Sequence, residues 1–220
     1  MPRRALSEHR PYLLLSLLAG ISYFFVADSA IGGAWLMVWK GAAVAFLAVY
    51  AARRSAGPDG ALIAAAMALG AIGDVAIEID LIAGGAAFAL GHLVAITLYL
   101  RNMRRVRTGS QNAAALALAV FAPLIAWLIT RQSPDWTIAT GYAAVLGLMA
   151  ASAWSSRFPR YRVGLGAVLF IVSDLVLLGR ESGGLDPEIA GWLVWPLYYA
   201  AQFLIVTGVV QTLRLKQTTG

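Results

Sequence analysis

Eight apolar runs, each close to the length needed to cross a bilayer, constrain this chain more than any other feature. A spanning helix takes ~20 mostly apolar residues. The runs cover roughly 11–28, 34–52, 60–80, 84–100, 112–130, 136–155, 162–179 and 189–211. Breakers separate them at Gly32-Gly33, Gly57-Pro58-Asp59-Gly60, Gly84-Gly85, Ser133-Pro134-Asp135, Phe158-Pro159, and Gly183-Gly184 with Pro187. Open backbone groups cannot face lipid, so each run must be helical. Composition agrees. The 220 residues are 60% hydrophobic and only 13% charged, against about 25% charged in a soluble domain. A soluble chain of this size has no interior for so much apolar surface.

The basic residues test the number of spans. Arg3, Arg4 and Arg10 open the chain. Arg53 and Arg54, then Arg101, Arg104, Arg105 and Arg107, then Arg157, Arg160 and Arg162 fall at every second break, and Arg214 and Lys216 close it. The alternate breaks hold Arg131 and Arg180 beside Asp28, Asp80, Asp135, Glu181, Asp186 and Glu188. The positive-inside rule places the first group in the cytoplasm. An even number of spans then returns the C-terminus to that side, and one helix more or fewer would break the alternation. The expected fold is therefore all-α: a polytopic membrane bundle of eight transmembrane helices, both ends in the cytoplasm, forming one membrane domain over 1–220. A bacterial inner membrane is the expected location. The basic start and apolar run over residues 1–30 also suit a signal peptide. That run is long for an h-region, however, and the charge alternation uses it as a span. The net charge of +6 is spread in short loop clusters, which excludes a nucleic-acid footprint as its best explanation. With no cysteines, disulfides, cysteine–zinc sites and a cysteine nucleophile are excluded.

Several ionisable or polar residues sit where lipid should be. Asp74 and Glu78 fall in the third run, Asp174 in the seventh, Lys40 in the second and His92 in the fourth. A charge at mid-bilayer costs ~2.5–3.5 kcal/mol on insertion scales and marks a bundle interior or a wet cavity. Asp74 and Glu78, four apart, share one helix face. Counting along the runs places Asp74 ~21 Å past Gly60 and Asp174 ~18 Å past Arg162, both running outward. Lys40 and His92 lie ~9 and ~12 Å inward from the outer side. Tyr198, Tyr199 and Gln202 enter the last run at a similar level. Five helices thus place polar groups in one slab of the outer half of the membrane. Bland alternatives exist for each. An aspartate can be a structural ion-pair partner, His92 a satisfied core histidine, and Glu78 a wet boundary residue. Tyr198 and Tyr199 can belong to an aromatic belt with Trp192 and Trp195. One histidine within the apolar runs and no cysteines make a zinc site a poor fit, and no cofactor is implied.

A short internal echo is also visible. Ile72-Gly73-Asp74 matches Val172-Ser173-Asp174. In each half the next helix brings an aromatic and, four residues on, a polar group: Phe88 with His92, Tyr198 with Gln202. It suggests a four-plus-four repeat with halves 1–108 and 109–220.

The ordered set of these residues resembles the YhhN family of membrane proteins, the lysoplasmalogenase-like group. The resembling pieces are Lys40, Gly73-Asp74, Phe88-x-x-Gly91-His92, Phe170-x-x-Ser173-Asp174 and Pro196-Leu-Tyr-Tyr-x-Ala-Gln202. Between Gly109 and Arg162 no family motif is evident. The resemblance implies hydrolysis of the vinyl ether bond of a lysoplasmalogen, giving a fatty aldehyde and a glycerophospho-ethanolamine or -choline. The substrate would be a lysophospholipid drawn from the membrane. The chemistry suits paired carboxyls. An acid protonates the carbon far from oxygen, an oxocarbenium ion forms, water adds, and the hemiacetal collapses. A second carboxylate can stabilise the cation and activate water, as in glycoside hydrolysis. Asp74 and Asp174 are expected as the acid/base pair, with His92 positioning water or relaying a proton. Lys40, Glu78, Ser173, Tyr198, Tyr199 and Gln202 are expected around the substrate's polar part. A proton-coupled transporter would also use buried carboxylates and two halves, and a purely structural membrane protein would use the charges only to pair helices.

Overall fold

A computed structural model describes residues 11–27, 29 and 32–219, with side chains described as far as Leu215. Arg3, Arg4, Arg10 and Asp28, on which the start of the charge alternation and the signal-peptide reading rest, lie outside the described residues. These residues form eight apolar helices and no strand: α1 (Pro11–Val26), α2 (Gly33–Arg54), α3 (Gly57–Ala76), α4 (Leu81–Arg101), α5 (Gly109–Thr130), α6 (Trp136–Ser155), α7 (Leu165–Glu181, entered through a π turn at Arg160–Gly164) and α8 (Pro187–Thr219). Seven of them, α2 to α8, are long and apolar enough to cross a membrane, counting α7 with its π turn. α1 has 16 residues, ~24 Å of helix, against a hydrocarbon core of ~30 Å. The eight expected runs are thus eight helices, of which one is short of a full span. Phe25, Ile72, Leu116 and Leu148 stand exposed on helix surfaces. Such surfaces are stable against lipid and not against water, and the chain is an integral membrane protein.

Local sequence explains where the helices start and where the expected boundaries shift. α3 begins at Gly57 rather than Gly60. Pro58 occupies its first turn, where the missing N–H costs nothing, and Asp59 meets the positive end of the helix dipole. α5 opens with a capping box: Gln111 N donates to the Thr108 hydroxyl at 3.3 Å, and Thr108 N donates to the Gln111 side chain at 3.2 Å. This satisfies two N–H groups left open at a helix start. The pair Gly84-Gly85, expected to break the chain, lies inside the first turn of α4. The start is set instead by Asp80, whose carboxylate accepts from Ala83 N at 2.6 Å. Gly84 serves a close approach: a Cβ there would sit 2.6 Å from the backbone of Ile77. α8 runs to 33 residues, past the expected end near 211, because Gln211, Arg214 and Lys216 are good helix formers once apolar character is no longer required.

The chain divides into two compact units, Met1–Gly91 and His92–Gly220. The division falls inside α4, not at the loop near Thr108, and the four-plus-four repeat is not confirmed. In the first unit α2 packs on α1 and on α3, over a core of Val44, Leu47, Ile63 and Met67. In the second, α5 packs on α6 and α7 on α8, over Leu146, Met149, Val206 and Val209.

Candidate functional site

α7 carries the first part of the site. Phe170 and Asp174 are four apart, so they share a face, and both are buried. Asp174 is 8% exposed although it sits in an apolar helix. Its carboxylate accepts a short hydrogen bond from the hydroxyl of Tyr142 on α6. The same hydroxyl lies 3.3 Å from Nε2 of His92 on α4. A phenol has one proton. While Tyr142 donates it to Asp174, its oxygen can only accept from His92, so His92 must then carry its proton on Nε2. When Asp174 is the protonated partner, the bonds reverse: the carboxyl donates to Tyr142, and Tyr142 donates to His92. The three side chains form one chain in which a proton added at one end can be passed to the other.

Aromatic rings wall this chain. Phe170 meets His92 edge-on with ring centroids 4.8 Å apart, and meets Tyr198 of α8 edge-on at 5.2 Å. Tyr198 and Gln202, one turn apart, are joined by a hydrogen bond of 3.1 Å from the Gln202 amide to the phenol oxygen. Trp195 stacks on Tyr199 at 5.8 Å with 16° between the planes and also touches Tyr198 at 5.7 Å. Tyr198 and Tyr199 are buried, so neither serves as a belt residue at the membrane surface. Ser173 donates its hydroxyl to the carbonyl of Val194 at 3.0 Å. That bond clips α7 to α8.

The first unit holds the remaining candidates. Asp74 lies two residues before the end of α3 and is 1% exposed. Its neighbour Gly73 is pressed against the ring of Phe88: a Cβ there would lie 2.9 Å from three ring atoms. This contact accounts for two of the motif residues, Gly73 and Phe88, by packing alone. Glu78 is not in α3, which stops at Ala76, but in the turn that follows. It therefore does not extend the face of Asp74 as its four-residue spacing suggests. It pairs instead with Lys40 at 2.6 Å, with side chains 39% and 17% exposed respectively. Lys40 spends its charge on Glu78.

Within the second unit the fold thus joins His92 to Asp174 through Tyr142, sets His92 and Tyr198 against Phe170, and links Gln202 to Tyr198 and Tyr199 to Trp195. Within the first it joins Lys40 to Glu78 and buries Asp74. Sequence reading missed Tyr142. Its signal was a hydroxyl-bearing side chain six residues into an otherwise apolar run, after Thr140-Gly141, at the ~9 Å depth already given to Lys40. Among the described residues no group of three His, Cys, Asp or Glu is placed to hold a metal ion.

Comparison with family models matches residues 35–209 to the YhhN family. The matched span runs from the start of α2 into α8 and includes every residue of the two clusters just described. No curated protein and no solved structure matches the chain.

Proposed function

We propose, on the premise that the chain belongs to the YhhN family, that it is a membrane-embedded hydrolase of the lysoplasmalogenase type. Its substrate would be a single-chain lipid with a vinyl ether, taken from the surrounding membrane. The observation that carries this reading is the hydrogen-bonded chain His92–Tyr142–Asp174 buried inside membrane-crossing helices. A carboxyl in such a place is costly to keep, and a proton carrier is what vinyl ether hydrolysis requires.

The steps balance with Asp174 alone as the exchanging acid. Asp174, as the carboxylic acid, gives its proton to the vinyl carbon distal to oxygen, and the C=C electron pair forms the new C–H bond. The remaining carbon becomes an oxocarbenium ion paired with the Asp174 carboxylate. Water then adds to that carbon, and the carboxylate takes the proton that water loses, which restores the acid. The hemiacetal collapses as Asp174 gives a proton to the glycerol oxygen, the bond from this carbon to that oxygen breaks, and the hemiacetal hydroxyl forms the C=O by returning its proton to Asp174. The products are a fatty aldehyde and the glycerophospho alcohol. Tyr142 donates to the carboxylate after each proton loss and aims it. His92 holds Tyr142 in turn and can return a proton through it. Tyr198 and Gln202 are suited to hydroxyls of the glycerol part, and the Phe170, Trp195 and Tyr199 rings exclude water from the cation until the proton has moved. Asp74, the other buried aspartate, is the candidate for a second carboxylate and is judged by its own substitution.

The test is aldehyde release by the purified protein in detergent from lysoplasmalogens with ethanolamine or choline head groups, beside the saturated alkyl-ether analogues. Release from the vinyl ethers alone is expected. A well-folded protein that releases no aldehyde from either head group would refute the substrate assignment and turn attention to proton-coupled uptake in liposomes.

A further inference from the structure

The opposite, basic end of the second unit shows a different kind of site. The α4–α5 loop and the α6–α7 loop are laced together there. Met103 and Ser156 form a β-bridge, Arg104 N donates to Ser155 O at 3.2 Å, and Arg157 N donates to Asn102 O at 2.8 Å. Arg104 locks the arrangement by donating to the carbonyls of Ser156 at 2.6 Å and Phe158 at 3.0 Å. Phe158 is fully buried and meets Tyr99 edge-on. The two loops are therefore fixed, and so are the arginines they carry.

Among the described residues Arg104, Arg157 and Arg160 make no ion pair. The Arg160 guanidinium acts on Arg104 as a like charge and, together with burial as the larger cause, lowers the proton affinity of Arg104. The Nε groups of Arg157 and Arg160 are both buried and have no hydrogen-bond partner. Arg157 lies over the face of Phe158, 5.7 Å from its guanidinium carbon. Between Asp80 and Asp174 the sequence has a single acidic residue, Asp135. It precedes α6, the full length of that helix, ~30 Å, away from Arg157. No acidic residue follows Glu188 to the C-terminus. Buried, unsatisfied donors on fixed like charges are costly, and the planar fork of arginine suits phosphate oxygens.

We propose that Arg104, Arg157 and Arg160 form a binding site for a phosphate group, separate from the hydrolytic site. The group belongs either to an anionic lipid headgroup or to a soluble phosphate compound. The position at a loop that ends three apolar helices, with Tyr161 and Val106 almost wholly exposed beside it, allows both sources. Occupation would relieve the repulsion of Arg160 on Arg104.

The experiment is a thermal-shift titration of the full chain in detergent with two probes. One is phosphatidylglycerol against phosphatidylcholine; the other is inorganic phosphate against chloride at equal ionic strength. Saturable stabilisation by phosphatidylglycerol alone assigns a lipid headgroup, and stabilisation by inorganic phosphate assigns a soluble source; both support the site. Arg157→Gln/Arg160→Gln is expected to raise the apparent Kd by about tenfold or more, because two of the three cations that would meet the anion are removed. Arg105→Gln/Arg107→Gln removes the same charge from exposed positions and is expected to leave Kd nearly unchanged. Should the glutamine pair fail to fold, Arg157→Lys/Arg160→Lys keeps the charge and loses the fork, and weaker binding is expected. No saturable response to either probe, an equal loss in the Arg105/Arg107 variant, or wild-type affinity in the lysine pair would overturn the proposal.

Discussion

In the proposed hydrolysis Tyr142 and Asp174 divide one task between two helices, and the division is open to measurement. Tyr142→Phe keeps the ring and its fit and removes only the hydroxyl that donates to Asp174. Loss of positioned acid–base help costs ~10²–10⁴-fold in rate. Tyr142→Phe is expected at the lower end, about 10²-fold in kcat with KM nearly unchanged, because the acid itself remains. His92→Gln, one step further from the carboxyl, is expected to lose less. A KM-against-kcat comparison checks both, and a loss confined to KM would place Tyr142 in substrate binding instead. At this scale the sequence made part of the site legible. Asp174, Asp74 and His92 stand out because a polar group in an apolar run is expensive wherever it occurs. Tyr142 does not stand out, because a tyrosine is tolerated in membrane helices for its ring. Only the fold shows that its hydroxyl lies between a carboxylate and an imidazole. Lys40 and Glu78 were legible as polar residues but not as each other's partners, since that depends on where α3 stops.

Packing around Gly73 shows what helices add to the residues they carry. Gly73→Ala would push a methyl group into the Phe88 ring at 2.9 Å. Overpacking of this kind costs ~1–3 kcal/mol, which lowers the Tm of a chain of this size by some degrees. Gly73→Ala/Phe88→Leu is expected to recover part of the loss, a coupling that a double-mutant cycle measures. Gly85→Ala, in α4 and with open space around a new Cβ, is expected to be neutral or slightly stabilising. Equal Tm values for Gly73→Ala and the parent would contradict the close approach. Helix existence was legible nearly throughout, since apolar runs in lipid have no other way to satisfy their backbone. Helix ends were less so. Gly84-Gly85 looks like a break by composition but works as a contact, and α8 outruns its apolar stretch because a helix does not need lipid to continue. The π turn at Arg160–Gly164 left no mark in the sequence beyond Pro159.

The whole chain is an integral membrane protein whose sidedness rests on its basic loops. With no cysteines in the sequence, single cysteines can report that sidedness without background. A cysteine at Arg105 is expected to be shielded from an impermeant thiol reagent in intact cells and labelled after lysis, whereas one at Ser182 is expected to be labelled from outside. Labelling of both from one side would contradict the alternation. Charge alternation is a property of the entire sequence, which is why it gives an expected orientation where individual contacts leave no such signal. By the same logic the four-plus-four echo, built on a few residues, did not foresee a division inside α4. The central claim, that Asp174 delivers the proton that cleaves a vinyl ether, is tested most directly by the kcat for aldehyde release of Asp174→Asn beside the wild type at matched Tm. A fall of ~10²-fold or more, the scale of positioned acid–base catalysis, is expected; an Asp174→Asn protein that cleaves at the wild-type rate would contradict it.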